Sequence, residues 1–124
     1  MARSSIDPQS QVPIFQQIVN ELERNILTGE LKPGDFLTSV REFALKNEVN
    51  PNTVAKAYQQ LQSLGLAETV RGTGLRVLPM DPVKGLKRRN EILQEKVDEC
   101  LHLAKLLSVP IAQLMDLIRE RSRK

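Results

Sequence analysis

Residues 49–61 read Val-Asn-Pro-Asn-Thr-Val-Ala-Lys-Ala-Tyr-Gln-Gln-Leu, and this stretch decides the fold. Asn50 suits the N-cap of a helix and Pro51 its first position, because the N–H that proline lacks would have no partner there anyway. Val54, Ala57, Tyr58, Leu61 and Leu64 recur at helical spacing as an inward stripe, and Gly65 ends the helix. Asn50, Asn52, Lys56 and Gln59 are left near the exposed side, mostly at the N-terminal end. That face is built of amide and amine groups rather than catalytic ones.

Upstream, Phe15, Ile18, Val19, Leu22 and Ile26 predict a first helix from Pro13, stopped by Gly29. The segment from Leu31 to Ser39 reads as a short extended piece with a turn at Pro33 and Gly34. Ser39 is placed to cap a second helix, Val40 to Lys46, with Val40, Phe43 and Ala44 facing inward. A tight connection, Asn47 to Val49, leads into the third helix. Downstream, Leu66 and Val70, then Leu75 and Val77, supply two short strands around a tip at Gly72 to Gly74. Three helices followed by a β-hairpin is the order of a winged helix-turn-helix, a mainly α fold with a small β-hairpin.

Asp81 and Pro82 repeat the cap signature and open a long helix to about Leu107. Leu86, Leu93, Val97, Cys100, Ala104 and Leu107 recur at near-heptad spacing, with Asn90 at the gap. Ser108 to Pro110 breaks that helix. Leu114, Leu117 and Ile118, with Ile111, form the stripe of a last short one. Two amphipathic helices cannot close a core alone, and a narrow seam favours a second copy of the chain over the first domain as their cover. The expected division is a DNA-binding domain over residues 1–80 and a two-helix dimerisation region over 81–124.

Composition narrows the functional classes. The chain has 124 residues, 40% hydrophobic and 27% charged, which is ordinary globular usage. No stretch is apolar enough for a signal peptide or a membrane span, so a cytoplasmic protein with no membrane partner is expected. A single cysteine cannot form an internal disulfide, in keeping with a reducing compartment. Residues 1–80 carry 8 Lys/Arg against 8 Asp/Glu, while 81–124 carry 10 against 7 and so supply the whole net charge of +3. Bulk basicity therefore identifies no DNA-binding domain, and the positions of individual charges must.

Catalysis is poorly served. His102 is the only histidine, which excludes a Ser-His-Asp triad or a multi-histidine metal site within one chain. Cys100 and His102 point to different faces of one helix and make no dyad; Cys100 reads as a packed seam residue, with a redox sensor as the alternative. The Gly72–Thr73–Gly74 run lacks the lysine and following helix of a phosphate loop. No enzyme and no cofactor are expected. No cluster of convergent polar groups marks an effector site, so a small-molecule effector stays unknown.

Double-stranded DNA is the better partner. The N-terminal end of a recognition helix enters the major groove, where asparagine can pair with adenine and lysine can reach guanine or phosphate. Arg41, at the start of the preceding helix, and Arg71, at the hairpin, flank the same face. The bland alternative is a solvated helix surface on a winged-helix protein-interaction module without DNA-binding function, which the neutral charge of residues 1–80 favours.

Residues 11–77 also resemble the DNA-binding domain of the GntR family of bacterial transcription regulators. The carriers are Gly29 to Asp35 (G-x-L-x-P-G-D), Ser39 and Arg41 (S-x-R), Thr53 to Tyr58 (TV-x-x-A-Y), Leu61 to Leu66 (L-x-x-x-GL) and the wing Arg71 to Gly74 (RG-x-G). The run from Asn50 to Tyr58, followed by a short C-terminal region, is similar to the YtrA-type subfamily, which implies a two-helix dimerisation element and little room for a large ligand-binding domain. The resemblance implies DNA contacts from Arg41, from Asn50, Asn52, Thr53 and Lys56, and from the wing at Arg71, Gly72 and Thr73. It implies a homodimeric repressor on a palindromic operator. The chain departs from the family's usual Leu-Pro-Ser-Glu-Arg at Thr38 and Val40, which removes a glutamate that would orient Arg41. Leu75 and Arg76 replace a hydroxyl residue and an aromatic, and Arg76 is expected to add a cation near the wing.

Overall fold

The structure, a computed structural model, describes residues 6–123. Five helices and one hairpin follow in the order α1 (Ile14–Leu27), α2 (Val40–Asn47), α3 (Pro51–Ser63), β1 (Ala67–Val70), β2 (Gly74–Val77), α4 (Pro82–Leu106) and α5 (Ile111–Ser122). The chain divides into two compact units, Met1–Asp81 and Pro82–Lys124.

In the first unit the apolar stripes of the three helices meet as expected. Ile18, Leu22, Val54, Ala57 and Leu61 are fully buried, and Phe43 and Val77 nearly so. Truncating any of the large ones to alanine costs about 2–5 kcal/mol by loss of transfer energy and cavity formation. Leu64 departs from the expected stripe and is 50% exposed. It is the C-cap residue beyond Ser63, so the helix ends before its side chain can turn back onto the core.

Local chemistry sets the helix starts. The Ser39 side chain accepts a hydrogen bond from the Glu42 N–H at 3.1 Å, and Asn50 accepts from the Asn52 N–H at 2.8 Å with Pro51 at the first position. Between α2 and α3 the chain turns at Glu48, whose φ of 53° is left-handed, and the Val49 N–H donates to the Ala44 carbonyl at 3.0 Å. Left-handed backbone usually falls to glycine, because a Cβ crowds the following carbonyl.

The strands pair antiparallel in the register Ala67 with Val77, Glu68 with Arg76, Thr69 with Leu75 and Val70 with Gly74. The tip is closed by the Thr73 N–H donating to the Val70 carbonyl at 3.0 Å, with Gly72 at φ 80°. The turn at Pro33 and Gly34 forms as read. Its following residues do more than connect: Asp35 and Leu37 bond to β2 through Val77 N–H to Asp35 carbonyl and Leu37 N–H to Leu75 carbonyl, both 2.8 Å. The segment before α2 is thereby tied to the hairpin, covering what would be an open strand edge.

In the second unit α4 runs 25 residues, about 37 Å at 1.5 Å per residue. Ser108 takes a left-handed φ of 58°, and α5 packs back on α4 over Ala104, which is buried.

Candidate nucleic-acid interface

The first unit carries a cleft of about 330 Å³ lined by residues from three elements. Ser39 and Val40 come from the start of α2, Ala55 and Gln59 from the outer face of α3, and Thr73 and Gly74 from the hairpin tip. These three elements, where the sequence locates its candidate contacts, therefore border one surface.

Around that cleft the predicted residues are distributed unevenly. Arg41 is exposed in the first turn of α2, and Arg71, Gly72 and Thr73 are exposed at the hairpin tip. Neither Arg41 nor Arg71 makes an ion pair among the described residues. Asn52 is exposed on the first turn of α3, and Thr53 is half-buried beside it. Asn50 is committed to its cap, so a paired contact to adenine would compete with the hydrogen bond that starts the helix. The Lys56 ammonium lies 4.0 Å from the centre of the Phe15 ring, a cation–π contact between α3 and α1.

Arg76 corrects one expectation. Its guanidinium pairs with the Glu68 carboxylate, its cross-strand neighbour in the hairpin register. That pairing neutralises the cation the sequence offered to the wing.

Sequence reasoning passed over Gln62 and Thr69 and marked Thr38 only as a departure from the family pattern, and all three line the cleft. Gln62 follows Ala55 and Gln59 at helical spacing, a signal that was available. Thr38 and Thr69 reach the cleft through non-local pairing, and no local pattern marks them. Tyr58 is buried, its ring edge-on to Phe43 at 6.1 Å, and its hydroxyl donates to the Thr38 carbonyl at 2.6 Å. Burial pushes the Tyr58 hydroxyl well above the usual phenol range, so it stays a donor in alkaline as well as neutral solution.

The second unit presents a different surface. Leu86, Leu93, Val97, Leu107, Leu117 and Ile118 are between 51% and 64% exposed, and Cys100 is exposed as well. Leu114 is half-buried and Ala104 is covered by the chain's own packing. Cys100, Ala104, Leu107, Leu114 and Leu117 share a groove of about 470 Å³ between α4 and α5. Apolar side chains this exposed on a two-helix unit leave a large apolar surface uncovered. No helix among the described residues is long and apolar enough to cross a membrane.

A helix-turn-helix closed by a short hairpin wing, with exposed polar groups at the head of its third helix, defines a winged helix-turn-helix transcription regulator. Residues 14–77 match the family described as "Bacterial regulatory proteins, gntR family". The chain belongs to the GntR family. It is 36% identical over 117 residues to the "HTH-type transcriptional repressor YtrA" of Bacillus subtilis (strain 168), spanning 94% of this chain and 90% of that protein. A "GntR family transcriptional regulator from Listeria monocytogenes" has a similar structure, with TM-score 0.78 and 31% identity over 93% of this chain and 98% of that one. The structure of "AraR(DBD) in complex with operator ORX1" matches 62% of this chain and 99% of its own, with TM-score 0.55 and 26% identity.

Proposed function

We propose that the protein is a homodimeric, cytoplasmic repressor of transcription that binds a roughly palindromic operator. The N-terminal end of α3 enters the major groove, the Arg71–Thr73 tip meets the minor groove, and residues 81–124 form most of the dimer interface. The observation that carries this reading is the cleft shared by the α2 start, the outer face of α3 and the wing tip. Two likenesses support it: the AraR domain, which matches 62% of this chain, was solved with operator DNA, and YtrA is named a repressor. A two-fold dimer sets its recognition helices about one DNA turn apart, about 34–36 Å or a multiple of that distance.

Arg41 and Asn52 are assigned to direct contact, Thr53 and the wing to positioning on the backbone. Arg41→Ala and Asn52→Ala should each weaken specific binding by about 1–3 kcal/mol. The measurement is a fluorescence anisotropy titration against a duplex from the protein's own upstream region. Wild-type affinity in both variants would remove the contact assignment. The balanced charge of residues 1–80 favours a second reading, a protein-interaction module. Absence of any salt-sensitive DNA binding by the wild-type protein would decide for it.

A further inference from the structure

Three consecutive residues before α2 are each held by a different element. The Leu37 N–H donates to the Leu75 carbonyl of β2 at 2.8 Å, the Thr38 carbonyl accepts from the Tyr58 hydroxyl of α3 at 2.6 Å, and the Ser39 hydroxyl accepts from the Glu42 N–H of α2 at 3.1 Å. Arg41 lies two residues further on. It makes no ion pair among the described residues, so within the protein only the backbone that carries it fixes where its side chain starts.

We propose that Tyr58 is a positioning residue for operator recognition: its hydroxyl fixes the start of α2, and with it Arg41, against the recognition helix. The ring and the hydroxyl have separable tasks. The ring is packed edge-on against Phe43 at an interplanar angle of 73°, a contact in which its oxygen takes no part. The hydroxyl alone bridges twenty residues of sequence to the Thr38 carbonyl. Thr38 and Tyr58 both border the cleft, so water can take over the carbonyl when the hydroxyl is removed, and the α2 start is then free to shift. A binding group must be held within about 0.5 Å of its productive geometry, and a two-pronged guanidinium contact is strict in that respect, so such a shift would weaken it.

This inference rests on the assignment of Arg41 to the operator, and a double-mutant cycle separates the two. Tyr58→Phe should weaken operator binding about three- to tenfold, the worth of one hydrogen bond. In an Arg41→Ala background it should lose most of that effect, while in an Asn52→Ala background it should keep it. A residue that merely supported the fold would weaken all three backgrounds alike. Wild-type affinity in Tyr58→Phe, or an equal loss with and without Arg41, overturns the proposal and leaves the Arg41 contact standing. Wild-type affinity in Arg41→Ala overturns the contact and the proposal together. Thermal melting verifies that each variant is folded at the assay temperature. If Tyr58→Phe is not, Thr38→Gly, which loosens the acceptor's backbone and keeps the tyrosine, is run through the same cycle with the same deciding outcomes.

Discussion

Glu48 holds the turn of the helix-turn-helix in a left-handed conformation, φ 53°, that a side chain resists. For an L-residue this costs roughly 1–2 kcal/mol, against about 0.4–1 kcal/mol of unfolded-state entropy that a glycine would add. Glu48→Gly should therefore stabilise the first unit by about 0.5–1 kcal/mol. The sign is read from the urea midpoint at unchanged m-value; a lowered midpoint would mean that the glutamate side chain contributes a contact of its own. Asn50 and Pro51 were legible because capping is local chemistry, written in adjacent residues. Glu48 was not, since a glutamate does not announce a left-handed turn as a glycine would. Arg76 was misread for a related reason. Its charge is visible in the sequence, but its partner Glu68 is assigned by hairpin register.

Among the elements, α3 is the one most fully written in the sequence: its caps, its stripe of Val54, Ala57, Tyr58 and Leu61, and its polar outer face all follow from helical periodicity. The cleft beside it is not written there. Its walls depend on the pairing of residues 35–37 with β2, a contact between segments about forty residues apart that no local pattern reveals. Lys56 shows how two elements compete for one side chain. Over the Phe15 ring it ties α3 to α1, a contact worth about 0.5–1 kcal/mol at an exposed site. On the proposed operator complex the same ammonium would neutralise a phosphate instead. Lys56→Ala should lower the slope of log affinity against log salt by about one if Lys56 neutralises a phosphate. An unchanged slope together with a lowered melting temperature would assign Lys56 to the helix pair instead.

At the scale of the whole molecule, the first unit has a closed core and the second does not. Ala104 is the buried hydrophobic residue of α4, while leucines and valines along α4 and α5 stay open to solvent. Arg88 with Glu91, Lys96 with Glu99 and Asp116 with Arg119 form exposed i,i+3 ion pairs in that unit, contacts that contribute little to its stability. The proposed homodimer would resolve the imbalance by covering that apolar seam with a second copy, and a two-fold interface brings the same residue into the seam twice, once from each copy. Val97 is 52% exposed, so Val97→Glu leaves the packing within one chain intact while setting like charges on both sides of the seam. The variant should sediment as a monomer at concentrations where the wild type is a dimer, with unchanged helix content by circular dichroism. Operator affinity should fall by about 10²–10⁴, because each half-site loses the effective concentration that a linked partner supplies. A Val97→Glu protein that stays dimeric would move the interface off this face of α4. A monomer that keeps full operator affinity would uncouple dimerisation from recognition and reduce the binding site to a single half-site.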